Sequence, residues 1–122
     1  MKLIHYNDME SLVKGLVASK GIAKGKCVIV DSINDFSKVN AGDILVVKNT
    51  DPAYVILFSK VSGIITEIGG MCSHAAIVSR EMGLPCIVGT GNAREVLKDN
   101  MEITLNANEG VVYESRKNEW IF

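Results

Sequence analysis

Apolar residues in this 122-residue chain fall into short runs separated by glycine. Lys26-Cys27-Val28-Ile29-Val30, introduced by Gly21 and Gly25, is a β-type run, and Asp43-Ile44-Leu45-Val46-Val47, after Ala41-Gly42, is a second. Gly63-Ile64-Ile65-Thr66 and Cys86-Ile87-Val88-Gly89 read as short buried strands, while residues 101–105 and 110–113 alternate like strands. Helices are predicted between them. Residues 51–58 form one, with Asp51 as cap and Pro52 at the first helical position, where its missing N–H costs nothing. A second starts near Ser73, where Ala75, Val78 and Met82 recur at i, i+3 and i+7 as one apolar stripe, and Gly83 and Pro85 stop it. Residues 92–98 form a third. The centre is therefore a β-α-β unit (63–66, a helix from Ser73, then 86–88), expected to be parallel and right-handed. The prediction is a mixed α/β fold in a single compact domain: residues 1–13 an N-terminal arm or linker remnant, 14–115 the domain, 116–122 a C-terminal tail or linker remnant.

Composition narrows the class. Hydrophobic residues at 48% and only two prolines exclude a disordered tail. A chain of this length buries roughly two-thirds of its unfolded surface. The net charge of −1 supplies no field for nucleic acid or an anionic membrane. No stretch approaches the ~20 apolar residues of a membrane span, and MKLIHYNDMESLVKG lacks the unbroken apolar run of a signal peptide. Cys27, Cys72 and Cys86 are odd in number and contain no Cys-x-x-Cys pair. They fit neither a disulfide framework nor a zinc ribbon, and a cytoplasmic location is expected. No Gly-rich nucleotide loop and no acidic cluster for Mg²⁺ are present.

The chemistry concentrates in Thr66-Glu67-Ile68-Gly69-Gly70-Met71-Cys72-Ser73-His74-Ala75-Ala76-Ile77-Val78-Ser79-Arg80-Glu81-Met82-Gly83-Leu84-Pro85. It reads as a strand, a Gly-Gly turn and a helix start with a histidine in its first turn. Gly69 and Gly70 permit positive φ and close approach of a ligand. A helix N-terminus presents unpaired N–H groups and favours phosphate, and Ser73 is placed to cap it. A neutral histidine is nucleophilic. Two readings follow from the residues alone: a tight turn followed by a structural histidine, or a histidine set to take up a phosphoryl group.

Residues 69–89 resemble the phosphohistidine signature of the phosphoenolpyruvate-utilising enzymes, which include phosphoenolpyruvate synthase, pyruvate phosphate dikinase and enzyme I of the sugar phosphotransferase system. That pattern is Gly-Gly, any residue, usually Thr, any residue, the phosphorylated His, two small residues, two aliphatics, a small residue and Arg. A Gly-aliphatic-Pro turn and Val-Gly follow. Flanking landmarks are similar too: the turn from Gly21 to Gly25, Gly42-Asp43-Ile44-Leu45-Val46, residues 63–67, and Gly110-Val111-Val112-Tyr113. About residues 14–115 are covered. The resemblance implies a swivelling β/β/α phosphohistidine domain with His74 as the phosphorylated nucleophile. Gly69, Gly70, Cys72, Ser73 and Ala75 would bind or position the phosphoryl group. Cys72 departs from the usual Thr, and a thiol is the weaker hydrogen-bonding group. In some relatives that Thr is itself phosphorylated, a switch Cys72 cannot serve in the same way.

The resemblance also implies partners, in cis or in trans: an ATP-grasp-like nucleotide-binding domain and a barrel that binds phosphoenolpyruvate and pyruvate. Mg²⁺ is expected in those partners, with no cofactor bound by this domain. The implied activity is a phosphotransferase of the phosphoenolpyruvate synthase or dikinase type, the isolated chain being inactive alone. The alternatives are a carrier with another acceptor, as in rifampicin phosphotransferases or phenylphosphate synthases, and a non-catalytic regulatory module.

The remaining polar residues carry weaker expectations. Arg80, about 240° around the helix from His74, is a candidate for salt bridging or docking. Glu81 shares the histidine's face and reads as a solvated charge. Glu67 either orients the imidazole or is solvated. Cys72 reads as a small packed residue, with a redox role or half a metal site as the lesser alternatives. His5 is assigned nothing, and Trp120, Ile121 and Phe122 either pack on the domain or begin a further helix.

Overall fold

The apolar runs become strands, and their order is set by where each run is buried. The computed structural model describes residues 10–115, together with the backbone of two short strands at 2–3 and 120–121. In chain order the strands are β1 (Lys2–Leu3), β2 (Val13–Lys14), β3 (Leu16–Ser19), β4 (Ile22–Ile29), β5 (Ile44–Val47), β6 (Gly63–Thr66), β7 (Cys86–Val88), β8 (Glu102–Asn106), β9 (Val111–Glu114) and β10 (Trp120–Ile121). The α-helices are α1 (Val55–Phe58), α2 (His74–Met82) and α3 (Ala93–Val96), with 3₁₀ turns at Ile33–Lys38 and Pro52–Tyr54. His5 and the side chains of Trp120, Ile121 and Phe122 lie outside the described residues. No helix among the described residues is long and apolar enough to cross a membrane.

Eight strands form one ladder in the order β2-β9-β8-β4-β5-β6-β7-β3. The long strand β4 serves two sheets. Its first part, from Ile22 to Lys26, pairs antiparallel with β8, and Cys27 to Ile29 pair parallel with β5. β5, β6 and β7 continue in parallel, and β3 closes the edge antiparallel to β7. Because Gly15 alone separates β2 from β3, the two ends of the ladder meet and the sheet curls on itself. Gly15 is required there: a Cβ would sit 2.8 Å from both the Thr90 side chain and the Val88 carbonyl oxygen. The parallel β6-α2-β7 unit matches the sequence prediction. β2, β3 and the 3₁₀ turn at Ile33–Lys38 were not predicted, because their residues are too few or too mixed to show a period. Val13, the last residue of the predicted arm, pairs with Val112 in β2 and is 2% exposed.

Two apolar layers explain why the central runs are continuous rather than alternating. Ile44, Val46, Ile65 and Ile87 face a core shared with Ile103, Leu105 and Val112 of the antiparallel strands. Leu45, Val47, Ile64, Cys86 and Val88 face the opposite side, under α1 and α2. Strands covered on both faces need apolar residues at every position. The predicted stripe of α2 is corrected by this packing. Ala75, Ala76 and Ser79 are its buried residues, whereas Met82 is 45% exposed. Small residues on the buried face let the helix lie close to β7.

Candidate functional site

The C-terminal ends of β4, β5, β6 and β7 gather along one edge, where loops in parallel α/β sheets bring side chains together. β6 ends in Thr66, whose hydroxyl donates to the Ile68 carbonyl at 2.8 Å. The chain then turns through Gly69, at φ +117, a conformation L side chains resist. A Cβ there would also lie 3.0 Å from that of Ser73. Only Gly69 of the pair takes the left-handed region. Gly70 has open space around it and supplies the carbonyl that accepts from the Ser73 hydroxyl at 2.8 Å.

Ser73 caps α2 as predicted, with its hydroxyl accepting from the Ala76 N–H at 3.4 Å. His74 and Ala75 are therefore the first helical residues, whose N–H groups have no carbonyl within the helix to donate to. Ala75 is 3% exposed, so its small side chain is a packing requirement. Cys72 is exposed, which corrects its reading as a small packed residue. Among the described residues no group of three or more His, Cys, Asp or Glu side chains converges as a metal site needs.

The His74 ring is half-buried rather than open. Its Nδ1 lies 2.8 Å from the Thr50 hydroxyl, and its plane is tilted 59° to the Phe58 ring, with centroids 6.1 Å apart. Sequence reasoning missed both partners. Thr50 follows β5 and Phe58 ends α1, and only the parallel pairing of β5 with β6 brings them under the loop that carries His74.

Three charged residues flank the site, and Glu67 settles into a place that differs from expectation. Arg80 donates from Nε to the Ala18 carbonyl at 2.9 Å, and its other hydrogen bond runs to the Met71 carbonyl. These bonds to carbonyls tie α2 to β3 and to the histidine loop. Glu67 neither hydrogen-bonds the imidazole directly nor stands in solvent. Its side chain is 9% exposed and binds Arg94, accepting from the backbone N–H at 2.8 Å and from Nε at 2.9 Å. Glu81 is exposed, as expected. Ile68 (50%), Met71 (45%) and Ile77 (42% exposed) add an apolar rim on either side of His74 in the chain.

The thiols inside the sheet are in a different environment from Cys72. Burial first, then the Asp99 and Asp43 carboxylates, pushes Cys27 up to about 12. Burial likewise pushes Cys86 up to about 11, against a smaller opposing influence of the Ser79 hydroxyl and Arg80.

Comparison with known proteins gives the same frame. Residues 39–110 match the family described as "PEP-utilising enzyme, mobile domain". A probable phosphoenolpyruvate synthase from Methanothermobacter thermautotrophicus is 53% identical over 105 residues, 86% of this chain and 15% of that protein. The phosphoenolpyruvate synthase of Aeropyrum pernix is 46% identical over 105 residues, 85% of this chain and 13% of its own length. The chain thus spans about one-seventh of these curated relatives. A solution structure of Enzyme I has a similar fold, with TM-score 0.58 and 24% identity over 68% of this chain and 35% of that one.

Proposed function

This chain belongs to the mobile-domain family of the phosphoenolpyruvate-utilising enzymes, and on that premise we propose that it is a phosphoryl carrier whose nucleophile is Nε2 of His74. The observation that carries this reading is the Thr50–His74 hydrogen bond at 2.8 Å, which engages Nδ1; in the tautomer with the proton on Nδ1, Nε2 is the nitrogen with a lone pair to offer. In that tautomer Nδ1–H donates to the Thr50 hydroxyl. Attack of Nε2 on the phosphorus of a donor forms the N–P bond as the bond to the donor's leaving oxygen breaks. The ring gains positive charge, and Thr50 Oγ1 accepts from the more acidic Nδ1–H. Transfer to an acceptor reverses the step. The N–H groups of His74 and Ala75 at the start of α2 are suited to hold phosphoryl oxygens.

The donor and acceptor sites belong to partners in this reading. A nucleotide-binding domain and a phosphoenolpyruvate-binding barrel would supply Mg²⁺ and the basic groups that hold a phosphoryl donor in line. The apolar rim of Ile68, Met71 and Ile77 gives such a partner a surface to cover. The test is incubation of the chain with Mg²⁺ and ATP or phosphoenolpyruvate, with and without those parts of a relative, followed by mass spectrometry of His74. Labelling that is labile in acid and stable in base is expected only with a partner present, and more slowly than in a tethered enzyme. Rapid stoichiometric labelling by a donor alone would overturn the carrier reading.

A further inference from the structure

A second polar assembly occupies the same edge of the sheet, built from three loops and outside the histidine motif. Arg94, in α3, donates from Nε to Glu67 and from a terminal nitrogen to Asp31 Oδ1 at 2.7 Å. The two bonds join the chain just past β6 to the chain just past β4. An ion pair between exposed side chains contributes little, but the Glu67 side chain is only 9% exposed and that of Arg94 33%. Without Arg94 a nearly buried carboxylate would lose its counter-charge. The Asp31 carboxylate, then that of Glu67, also holds the guanidinium pKa above its ordinary value, so it stays charged.

The backbone of Glu67 is the point from which both halves of the Thr50–His74 contact are hung. Its N–H donates to the carbonyls of Val47 and Lys48 at 3.0 and 3.1 Å, and the next N–H, of Ile68, donates to Lys48 at 2.9 Å. Its own carbonyl accepts from Gly91 at 3.1 Å, next to the bond from Thr90 N–H to the Thr66 carbonyl. Lys48 stands two residues before Thr50, and Ile68 opens the loop that ends at His74. A shift of Glu67 therefore moves the two partners of the 2.8 Å hydrogen bond relative to one another.

We propose that Glu67 and Arg94, steadied by Asp31, are positioning residues that hold this junction and so keep the His74 proton on Nδ1. They act through Thr50 and His74. The consequence for phosphoryl transfer rests on the carrier reading, but the placement of the proton does not. It is read without any phosphoryl donor, by long-range ¹H–¹⁵N NMR of the ¹⁵N-histidine-labelled chain at a pH well above the histidine range. The wild type is expected to be mainly in the Nδ1–H tautomer. Arg94→Met, which keeps the apolar stem, is expected to lower the ratio of Nδ1–H to Nε2–H at least twofold while the amide spectrum stays folded. Arg94→Lys should recover at least half of that change, and Asp31→Ala should cause less than half of it. A folded Arg94→Met with the wild-type ratio would reduce the pair to an anchor for α3 and overturn the proposal, as would a wild type mainly in the Nε2–H form. If Arg94→Met does not fold, Glu67→Gln replaces it, and an unchanged ratio there is equally fatal. Absence of labelling in the partner assay would sink the carrier reading and leave this result standing.

Discussion

The interior of the parallel strands and the edge where they end use the same segments of chain for opposite purposes. Ile44, Leu45, Val46, Ile64, Ile65 and Ile87 are fully buried, and the thiols among them are pushed far above the range in which they react. Beyond the strand ends, in the loops and helix starts that follow them, the chain carries half-buried polar groups in defined pairs: Thr50 with His74, and Glu67 with Arg94. Apolar contacts tolerate changes of partner as long as volume is filled. A polar pair near the surface depends on direction and distance. The interior therefore provides stability, and the edge provides a geometry that only a rigid interior can hold.

The sharpest way to test this division is His74→Ala. It should abolish acid-labile labelling in the partner assay while the melting temperature falls by only a few degrees, since the ring is half-buried against Phe58 alone among the aromatic rings described. Residual labelling would move the chemistry away from this edge. Thiol chemistry offers a second contrast. Iodoacetamide should modify Cys72 in the native chain and reach Cys27 and Cys86 only in denaturant, read by mass spectrometry. Native modification of Cys27 would mean that the interior opens far more readily than its packing implies.

Smaller effects sharpen the comparison. Ile65→Ala, at a position fully excluded from water, should cost about 2–5 kcal/mol in urea unfolding. Met82→Ala, on the exposed side of α2, should stay within about 0.5 kcal/mol. Equal costs would contradict the burial pattern. Thr50→Val keeps the shape but removes the hydroxyl, and should slow labelling roughly tenfold, about 1.4 kcal/mol in the barrier, with a stability change of about 1 kcal/mol. Ser79→Ala is the smallest. The Ser79 hydroxyl is fully buried beside the Cys86 thiol, a weak partner, and makes no hydrogen bond of ordinary geometry. Its removal should be neutral or stabilising by up to about 1 kcal/mol, measured by the same unfolding curves.

Much of this molecule is determined by local sequence. Continuous apolar runs bounded by glycine place β5, β6 and β7, because a strand covered on both faces has no polar position to spare. Asp51-Pro52 and Ser73 mark helix starts, and Gly83 at φ +69 ends α2, since capping chemistry acts within a few residues. The Gly-Gly turn and His74 stand together in one short stretch and are legible for the same reason. The tertiary structure alone decided which loops meet. Thr50 reaches His74 across 24 residues, Arg94 reaches Glu67 across 27 and Asp31 across 63. Those contacts follow from the order β4-β5-β6-β7 and from the curl that Gly15 allows. No local period records that order, because it is fixed by which buried faces pack together.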